Sequence, residues 1–440
     1  MLDRGALLAS YADHIAHLGR ACSRILIEDG WDAVVLLSGR AASVNPFDDQ
    51  HHRLSPTPAF AHWLPLVEPD AAVVVMPGAR PRLVRTVVDD FWEGPLPQES
   101  DHFWGELEQV EVADPARLFD HVPAGRIAVV TRDPADVPRG EVNPPALVRA
   151  LDQLRTRKTD YELTCIAEAT RRAVRGHRKI RDTFLAGDHS ELALHLAYLD
   201  ASGQDDAETP YKNIVALGRH AAVLHHVAYQ RTGAGTSHTS LLVDAGARCL
   251  GYASDITRTW ARGRTGLFGQ LVARLDRLQQ DVCALIRPGL AYEALHDRSH
   301  ELLADALIEL GIAGGTGRGT AEALVARGVT RALFPHGLGH SLGVVVHDVG
   351  MREQAPRPDN RFLRNTSTIE VGQVFTIEPG CYFIDALLAP LRGDDRAGLV
   401  DWAAIDALHP YGGVRIEDDV AVTAGGVRNF TRDAFAAGQE

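Results

Sequence analysis

Apolar and polar positions along this chain follow two rhythms, and the places where one gives way to the other outline the elements. Residues 5–29 repeat their apolar positions at a helical period, which predicts an opening amphipathic helix. The runs AVVLL at 33–37 and AAVVVM at 71–76, and the apolar stretch at 127–130, have strand length and β-branched content. Between the first two lies NPFDDQHHRLSPTPAF at 45–60, a polar, proline-bearing stretch of the length that often carries function. A basic, polar segment at 155–158 precedes Thr159-Asp-Tyr-Glu162, which has the spacing of a helix capping box. Leu163, Ile166, Ala167, Ala173, Val174, Ile180 and Phe184 then keep a helical period. Strands are predicted near 212–217, 238–245 and 249–260, and helices near 267–286, 291–310 and 321–327, with strand patterns dominating from 371 onward. A small α/β domain at 1–156 and a larger domain at 157–440 follow from this pattern, giving an α+β chain. No internal repeat at a solenoid period is present.

Composition narrows the class. A chain of 440 residues with 45% hydrophobic and 23% charged content is an ordinary globular one with a large core. Its net charge of −13 and lack of Lys/Arg clusters argue against nucleic acid and an anionic membrane surface as partners. Cys22, Cys165, Cys249, Cys283 and Cys381 are odd in number and widely spaced, as reduced thiols of a cytoplasmic protein would be. The N-terminal residues lack a charged head followed by an apolar core, so no signal peptide is expected. No apolar run approaches a membrane span.

Candidate chemistry is concentrated in the second half. Asp244 ends an apolar strand (LLVDAG), and Asp255 follows eleven residues on in YASDITRT, past Gly246 and Gly251. His340 lies in HGLGHSLG, Glu378 in VFTIEPG and Glu417 in VRIEDDV. Taken singly, Asp244 reads as a turn aspartate, Asp255 as a solvent-facing strand residue, and Arg415 with Glu417 as a surface strand face. Their joint occurrence changes the reading. Four carboxylates gathered in one cavity cannot all stay ionised without cations, and two divalent ions would balance their charge. His336, His340 and His347 fall within twelve residues threaded by glycine, and neutral imidazole suits Mn, Fe, Co or Zn. The segment GGTGRGT follows a helix rather than a strand and lacks a Gly-Lys-Ser/Thr ending, so it reads as a connector and not a phosphate loop. Ser237, Ser240 and Ser254 lie near these residues, but no G-x-S-x-G elbow supports a serine nucleophile.

The order Asp, Asp, His, Glu, Glu in these contexts resembles the pita-bread metallopeptidases. It is most similar to bacterial Xaa-Pro dipeptidases (prolidases), including those also called organophosphorus acid anhydrolases. FDDQHH, TPYKNIVALG, LVDAGARCLGYASDITRTW, FPHGLGHSLGVVVHDVG, VFTIEPGCYFID and GGVRIEDDV carry the likeness over nearly the whole chain. It implies a creatinase-like N-terminal α/β domain and a pita-bread catalytic domain. It implies two divalent metal ions, with Asp244 on one, Asp255 and Glu417 bridging, and His340 and Glu378 completing the other. Manganese suits a mostly oxygen set, and cobalt, iron and zinc are alternatives. The resemblance assigns His347 to the tetrahedral intermediate, and a carboxylate at Glu378 beside the nucleophile is placed to shuttle its proton to the leaving nitrogen. His225, His336 and Arg415 fall on the leaving-group side of the substrate. Tyr292 and Leu363 line the pocket, with Tyr211 and Val346 nearby. Asp49 becomes the acid that meets the substrate ammonium in a neighbouring subunit of a homodimer. Ser341 stands where close relatives commonly have histidine. The activity implied is cleavage of Xaa-Pro dipeptides, with organophosphorus ester hydrolysis on the side. Aminopeptidase P activity on longer peptides and a metal-free peptide-binding module on the same fold are the alternatives.

Overall fold

The computed structural model describes residues 4–47, 49–87, 101–233, 239–263, 266–314, 319–352 and 354–437. Ser237 and residues 315–318 of the glycine-rich connector lie outside the described residues. The chain divides into two units, Met1–Cys165 with Leu250–Tyr252, and Ile166–Cys249 with Ala253–Glu440.

The first unit begins with α1 (Arg4–Asp29), whose buried Leu7, Tyr11, His14, Ile15, Leu18, Cys22 and Leu26 fall on one stripe. Its sheet contains β1 (Ala33–Leu37), β2 (Ala72–Val75), β3 (Arg82–Thr86), β4 (Glu108–Val112), β5 (Ile127–Val130) and β6 (Glu141–Val142), in the order β4-β3-β2-β1-β5-β6. β1 pairs antiparallel with β2 and parallel with β5, so the all-apolar strands sit centrally and the charged β4 lies at an edge. β3 and β4 escape the apolar-run criterion because they alternate charged and apolar residues. The long polar stretch is not all loop, since it runs into a short helix, α2 (Pro58–Ala61). After α3 (Pro145–Leu154), the capping box at Thr159 is present in part: the Thr159 N–H donates to Glu162 Oε2 at 2.8 Å, and α4 (Asp160–Ala186) begins there.

The second unit holds α5 (Glu191–Ser202), β7 (Ile214–Leu217) and β8 (Ser240–Asp244). The strand expected over 249–260 is broken into β9 (Arg248–Cys249), β10 (Tyr252–Ala253) and β11 (Thr257–Ala261), because Leu250 and Gly251 both take positive φ and turn the chain. β11, β8 and β7 form one sheet, with Asp244 paired to both Thr257 and Ile214. The helices α6 (Leu267–Leu285), α7 (Tyr292–Glu309), α8 (Ala321–Ala326) and α9 (Val329–Leu333) follow. Then come β12 (Val374–Ile377) and β13 (Gly380–Tyr382). The strand dominance expected after 371 is corrected by α10 (Asp385–Gly393), α11 (Trp402–Leu408) and α12 (Phe430–Ala436). Asp401 and Asn429 cap the last two by accepting from the Ala404 and Arg432 N–H groups. β14 (Gly413–Arg415), β15 (Asp418–Thr423) and β16 (Gly426–Asn429) complete two small sheets, β13-β14 and β12-β15-β16. Phe375, Ile377, Val414 and Val420 of these strands, with Ile416 between β14 and β15, join Leu271, Leu275, Leu278 and Val282 of α6 in one core.

Candidate metal centre

Two register choices bring the acidic residues together. Past β8 the hairpin continues, with the Ala245 N–H on Ile256 O at 3.0 Å and the Ser254 N–H on Ala247 O at 3.0 Å. Gly246 lets it close, since a Cβ there would stand 2.0 Å from Ser254 O. Asp244 and Asp255 thereby come to one side of the sheet end, both within reach of the Tyr211 hydroxyl. Thr257 then bridges to Glu417, whose N–H donates to Thr257 O at 3.0 Å. On the other side, the Thr376 N–H donates to His340 O at 2.9 Å, and the His340 N–H donates to Thr376 Oγ at 3.1 Å. The Glu378 N–H reaches Leu338 O at 2.8 Å. Gly339 permits this approach, because a Cβ would meet Thr376 O at 2.0 Å.

The result is a buried cluster in which Asp255, His340 and Glu417 each present a ligand atom within 4.8 Å of the others. His340 Nδ1 donates to Ser341 O at 3.2 Å, so its Nε2 carries the lone pair. That lone pair faces Asp255 Oδ2 at 3.3 Å and Glu378 Oε1 at 3.7 Å. Lone pair against carboxylate oxygen is repulsive unless a cation or proton stands between them. Tyr211 shows the same deficit: its hydroxyl lies 2.5 Å from Asp255 Oδ1 and 2.7 Å from Asp244 Oδ1, with one proton for two anions. Burial, then the neighbouring Asp244, push the Asp255 carboxyl well above the ordinary range. Burial, then Asp255, Glu378 and Asp244, do the same to Glu417, and burial raises Glu378. These residues fit a divalent metal site of oxygen-rich character.

The profile of Metallopeptidase family M24 matches residues 164–424, and that of the Xaa-Pro dipeptidase N-terminal domain matches residues 9–153. The chain belongs to metallopeptidase family M24. The Xaa-Pro dipeptidase of Marinobacter nauticus is 41% identical over 423 residues, covering 96% of this chain and 97% of that protein. The Xaa-Pro dipeptidase of Aeromonas hydrophila is 39% identical over 449 residues, covering 96% and 98%. Among solved structures, Escherichia coli aminopeptidase P in complex with substrate superposes with a TM-score of 0.73 at 19% identity, covering 96% of this chain and 95% of that one. Aminopeptidase PepP of Pseudomonas aeruginosa gives 0.72 at 21% identity, with 95% of each chain covered. The likeness to bacterial Xaa-Pro dipeptidases and the expected α+β class, an N-terminal domain followed by the pita-bread fold, are borne out.

In this M24 metallopeptidase the other expected residues fall into distinct settings. Arg415 and Glu417 are not a surface pair; both are buried. Arg415 donates through Nη2 to Asp244 Oδ2 at 2.6 Å, through Nη1 to Tyr382 Oη at 2.8 Å and through Nε to Thr257 Oγ at 3.0 Å. His336 lies 3.6 Å from Glu378 and 2.8 Å from the Tyr382 hydroxyl. His347 is exposed and sets its ring edge-on to His340, with centroids 4.3 Å apart. His225 is exposed and Val346 partly so. Tyr292 and Leu363 are fully enclosed, with the Tyr292 hydroxyl on Thr376 O at 3.2 Å. Ser341 is buried and donates to Asn365 Oδ1 at 3.3 Å. Asp49 belongs to the first unit, where it is exposed.

Several supporting residues escaped the sequence reading. Tyr382 joins His336 to Arg415, and Thr257 Oγ donates to Glu417 Oε2 at 2.6 Å. Asp419 is fully buried and accepts the Asp255 N–H at 3.1 Å and Thr170 Oγ–H at 3.0 Å. Its neighbour Asp418 is tied to Arg258 at 2.6 Å and Arg432 at 2.7 Å. Arg364 is an exposed cation whose field reaches His340, His347 and Glu378. Tyr382 did carry a signal, since a tyrosine in an apolar strand pattern needs a partner for its hydroxyl.

Proposed function

We propose that this chain cleaves Xaa-Pro dipeptides at a centre of two divalent metal ions, releasing free proline. The supporting observation is the division of the acidic cluster into two adjoining positions that share Asp255. One position lies between Asp255 and Asp244, which crowd the same hydroxyl at 2.5 and 2.7 Å. The other lies among Asp255, His340 and Glu378, with Nε2 at 3.3 and 3.7 Å from the two carboxylates. Glu417, within 4.8 Å of Asp255 and His340, adjoins both. The named activity of the full-length relatives supplies the substrate class.

When bound, the metals supply Lewis acidity and a nucleophile at neutral pH. Asp244, Asp255, His340, Glu378 and Glu417 hold them. Glu378 would carry a proton from the nucleophile to the leaving imide nitrogen. His347 receives the developing oxyanion. His336 and His225 face the proline side. Arg415 keeps one N–H on each of Nη1 and Nη2 beyond its bonds to Tyr382 and Asp244, a fork suited to the terminal carboxylate. Tyr292, Leu363, Tyr211 and Val346 shape the pocket, and Asp49 meets the ammonium group across a homodimer. With residues 1–156 and 157–440 as its domains, manganese as its metal and a cytoplasmic location, the chain would also hydrolyse organophosphorus esters slowly.

Metal-stripped protein assayed with Ala-Pro and with Ala-Pro-Ala tests this. Turnover of the dipeptide, restored by Mn²⁺ and exceeding that of the tripeptide, is expected. A preference for the tripeptide would make the chain an aminopeptidase P, and no recovery under any divalent metal would remove the metallopeptidase mechanism.

A further inference from the structure

A second group of metal-ligating side chains lies in the same unit, apart from the residues that surround Asp255. Glu191, the first residue of α5, His220, in the turn Gly218–Ala222, and His226 present ligand atoms within 4.8 Å of one another. His220 Nδ1 stands 2.6 Å from Glu191 Oε1, and His226 Nε2 stands 2.8 Å from Oε2. The two rings are stacked, with centroids 4.5 Å apart and planes 30° from parallel, so both aim a nitrogen at one carboxylate.

We propose that Glu191, His220 and His226 form a separate, solvent-open site for one transition-metal dication of the zinc type, completed by water. Two histidines and one carboxylate with open positions are a recurrent metal-binding set, and imidazole suits such ions. The carboxylate is held before any ion arrives. Its side chain is 0% exposed, and it accepts the Leu217 N–H at 2.9 Å and the Gln230 N–H at 2.7 Å. Backbone donors of this kind orient a ligating carboxylate and preserve its charge. Burial pushes Glu191 up, but the Gln230 and Leu217 N–H groups and the two imidazoles outweigh it and hold the carboxyl below its ordinary range.

Entry is open from the other side, where the His220 side chain is 43% exposed. Nitrogen–oxygen separations of 2.6 and 2.8 Å would widen to about 3.3 Å, a shift of about 0.5–0.7 Å, to admit a tetrahedral ion at about 2.0–2.1 Å from each ligand atom. Each imidazole then gives a lone pair where it had donated a proton, and that proton moves to the other ring nitrogen or to solvent. The group His14, His62 and Glu162 in the first unit differs on these points. All three residues are buried, and His14 spends Nε2 on His62 O at 2.8 Å and Nδ1 on Thr159 Oγ at 2.9 Å. That group is a polar pin without access.

The proposed ion would tie the start of α5 to the chain on both sides of His225, so its occupancy would set how firmly that exposed histidine is held. Zn²⁺ binding to the full chain is measured by competition with a chromogenic chelator. The same titration is run on His220→Ala/His226→Ala, on Asp255→Asn/Glu417→Gln, and on the four substitutions combined. The parent is expected to bind one equivalent more than the double-histidine variant. Asp255→Asn/Glu417→Gln is expected to keep that equivalent and the combined variant to lose it. His220→Gln/His226→Gln, which keeps hydrogen-bond donors near Glu191, decides the matter if the alanine variant misfolds. In the parent, Zn²⁺ should slow hydrogen exchange of the backbone over residues 217–230 by at least about tenfold, corresponding to a local stabilisation. Equal Zn²⁺ stoichiometry in the parent and the glutamine variant, or exchange in 217–230 indifferent to Zn²⁺, overturns the proposal.

Discussion

Replacing Tyr382 with Phe removes one oxygen and leaves the ring, and the consequence follows from a directional chain of hydrogen bonds. His336 Nδ1 lies 2.8 Å from Gly337 O and must donate to it. Burial, then the nearby Arg415, push the His336 imidazole down to about 3, so the ring is neutral and Nε2 is an acceptor. Tyr382 therefore donates its proton to His336 Nε2 at 2.8 Å and accepts from Arg415 Nη1 at 2.8 Å. Without the hydroxyl, Arg415 loses one of three partners and His336 loses its donor, both in a buried setting. A hydrogen bond to a charged group is worth about 1.5–3 kcal/mol and a neutral one about 1 kcal/mol, so a loss of about 2–4 kcal/mol is expected.

Calorimetry of the metal-loaded protein should show the transition that responds to metal falling by about 4–16 °C, on a scale of roughly 2–4 °C per kcal/mol for a unit of this size. Steady-state kinetics with Ala-Pro should show the loss mainly in KM, because in the proposed function His336 and Arg415 bind the proline side and Glu378 transfers the proton. A midpoint within about 1 °C of the parent, with KM unchanged, would refute the chain of donors as drawn.

Other perturbations read different parts of the structure. Thr257→Val deletes the donor to Glu417 Oε2 and the acceptor of Arg415 Nε, and should weaken metal binding about 10–100-fold in a chelator competition while the far-ultraviolet spectrum stays unchanged. Gly246→Ala sets a methyl 2.0 Å from Ser254 O, so the hairpin must open; metal stoichiometry should fall, whereas Gly251→Ala, with open space around its Cβ, should be affected only through its positive φ. Acid should destabilise the metal-loaded protein through its buried neutral histidines. Burial lowers His14, His177 and His296 to about 4, below their unfolded value near 6.5, so their contribution is whole above about pH 6.5 and is lost as pH falls toward 4. Each of the three accounts for up to about 3 kcal/mol, and a urea midpoint flat between pH 6.5 and 4.5 would contradict this. The metal-loaded form is required, because Asp255 and Glu417, raised in the metal-free chain, act with the opposite sign as pH rises.

Much of the centre was legible because each central residue sits where a local pattern ends. Asp244 closes an apolar strand, Glu378 follows one, and glycines flank the segment of His340. What holds these residues in place was not legible, because it depends on pairings between distant strands. Thr257 meets Glu417 across 160 positions, and Asp255 meets Asp419 across 164. No window of periodicity contains both partners. The helices after 371 were hidden for another reason: Asp401 and Asn429 are ordinary capping residues, and DALLAPLRG and WAAIDAL are rich in Ala and Leu, but they are short and lie between the β-branched strands VFTI and DDVAVT that set the pattern of the region. Glu191, His220 and His226 show the same limit, being joined only by the turn that brings 220 and 226 back to α5. The family resemblance marks His225, which lies between them in sequence, and no local pattern marks its neighbour His226.

Charge balance was the first argument for two metals, and Arg415 alters it. Ionised together, as bound metals would require, Asp244, Asp255, Glu378 and Glu417 would carry four negative charges, but Arg415 already lies 2.6 Å from Asp244, leaving an excess of three. One divalent ion leaves the pocket at −1 and two bring it to +1, so counting alone does not choose between them. The chemistry does. Cleavage of an amide places negative charge on the former carbonyl oxygen, and that charge is stabilised by positive potential already aimed at it. At about 4 Å and an effective dielectric near 20, a single unit charge changes such an interaction by roughly 4 kcal/mol. A pocket left at −1 would oppose the transition state by that order, and one at +1 would favour it. In the proposed two-ion centre, the guanidinium beside Asp244 would thus leave one positive charge in excess, the charge that a hydroxide nucleophile generated there would balance.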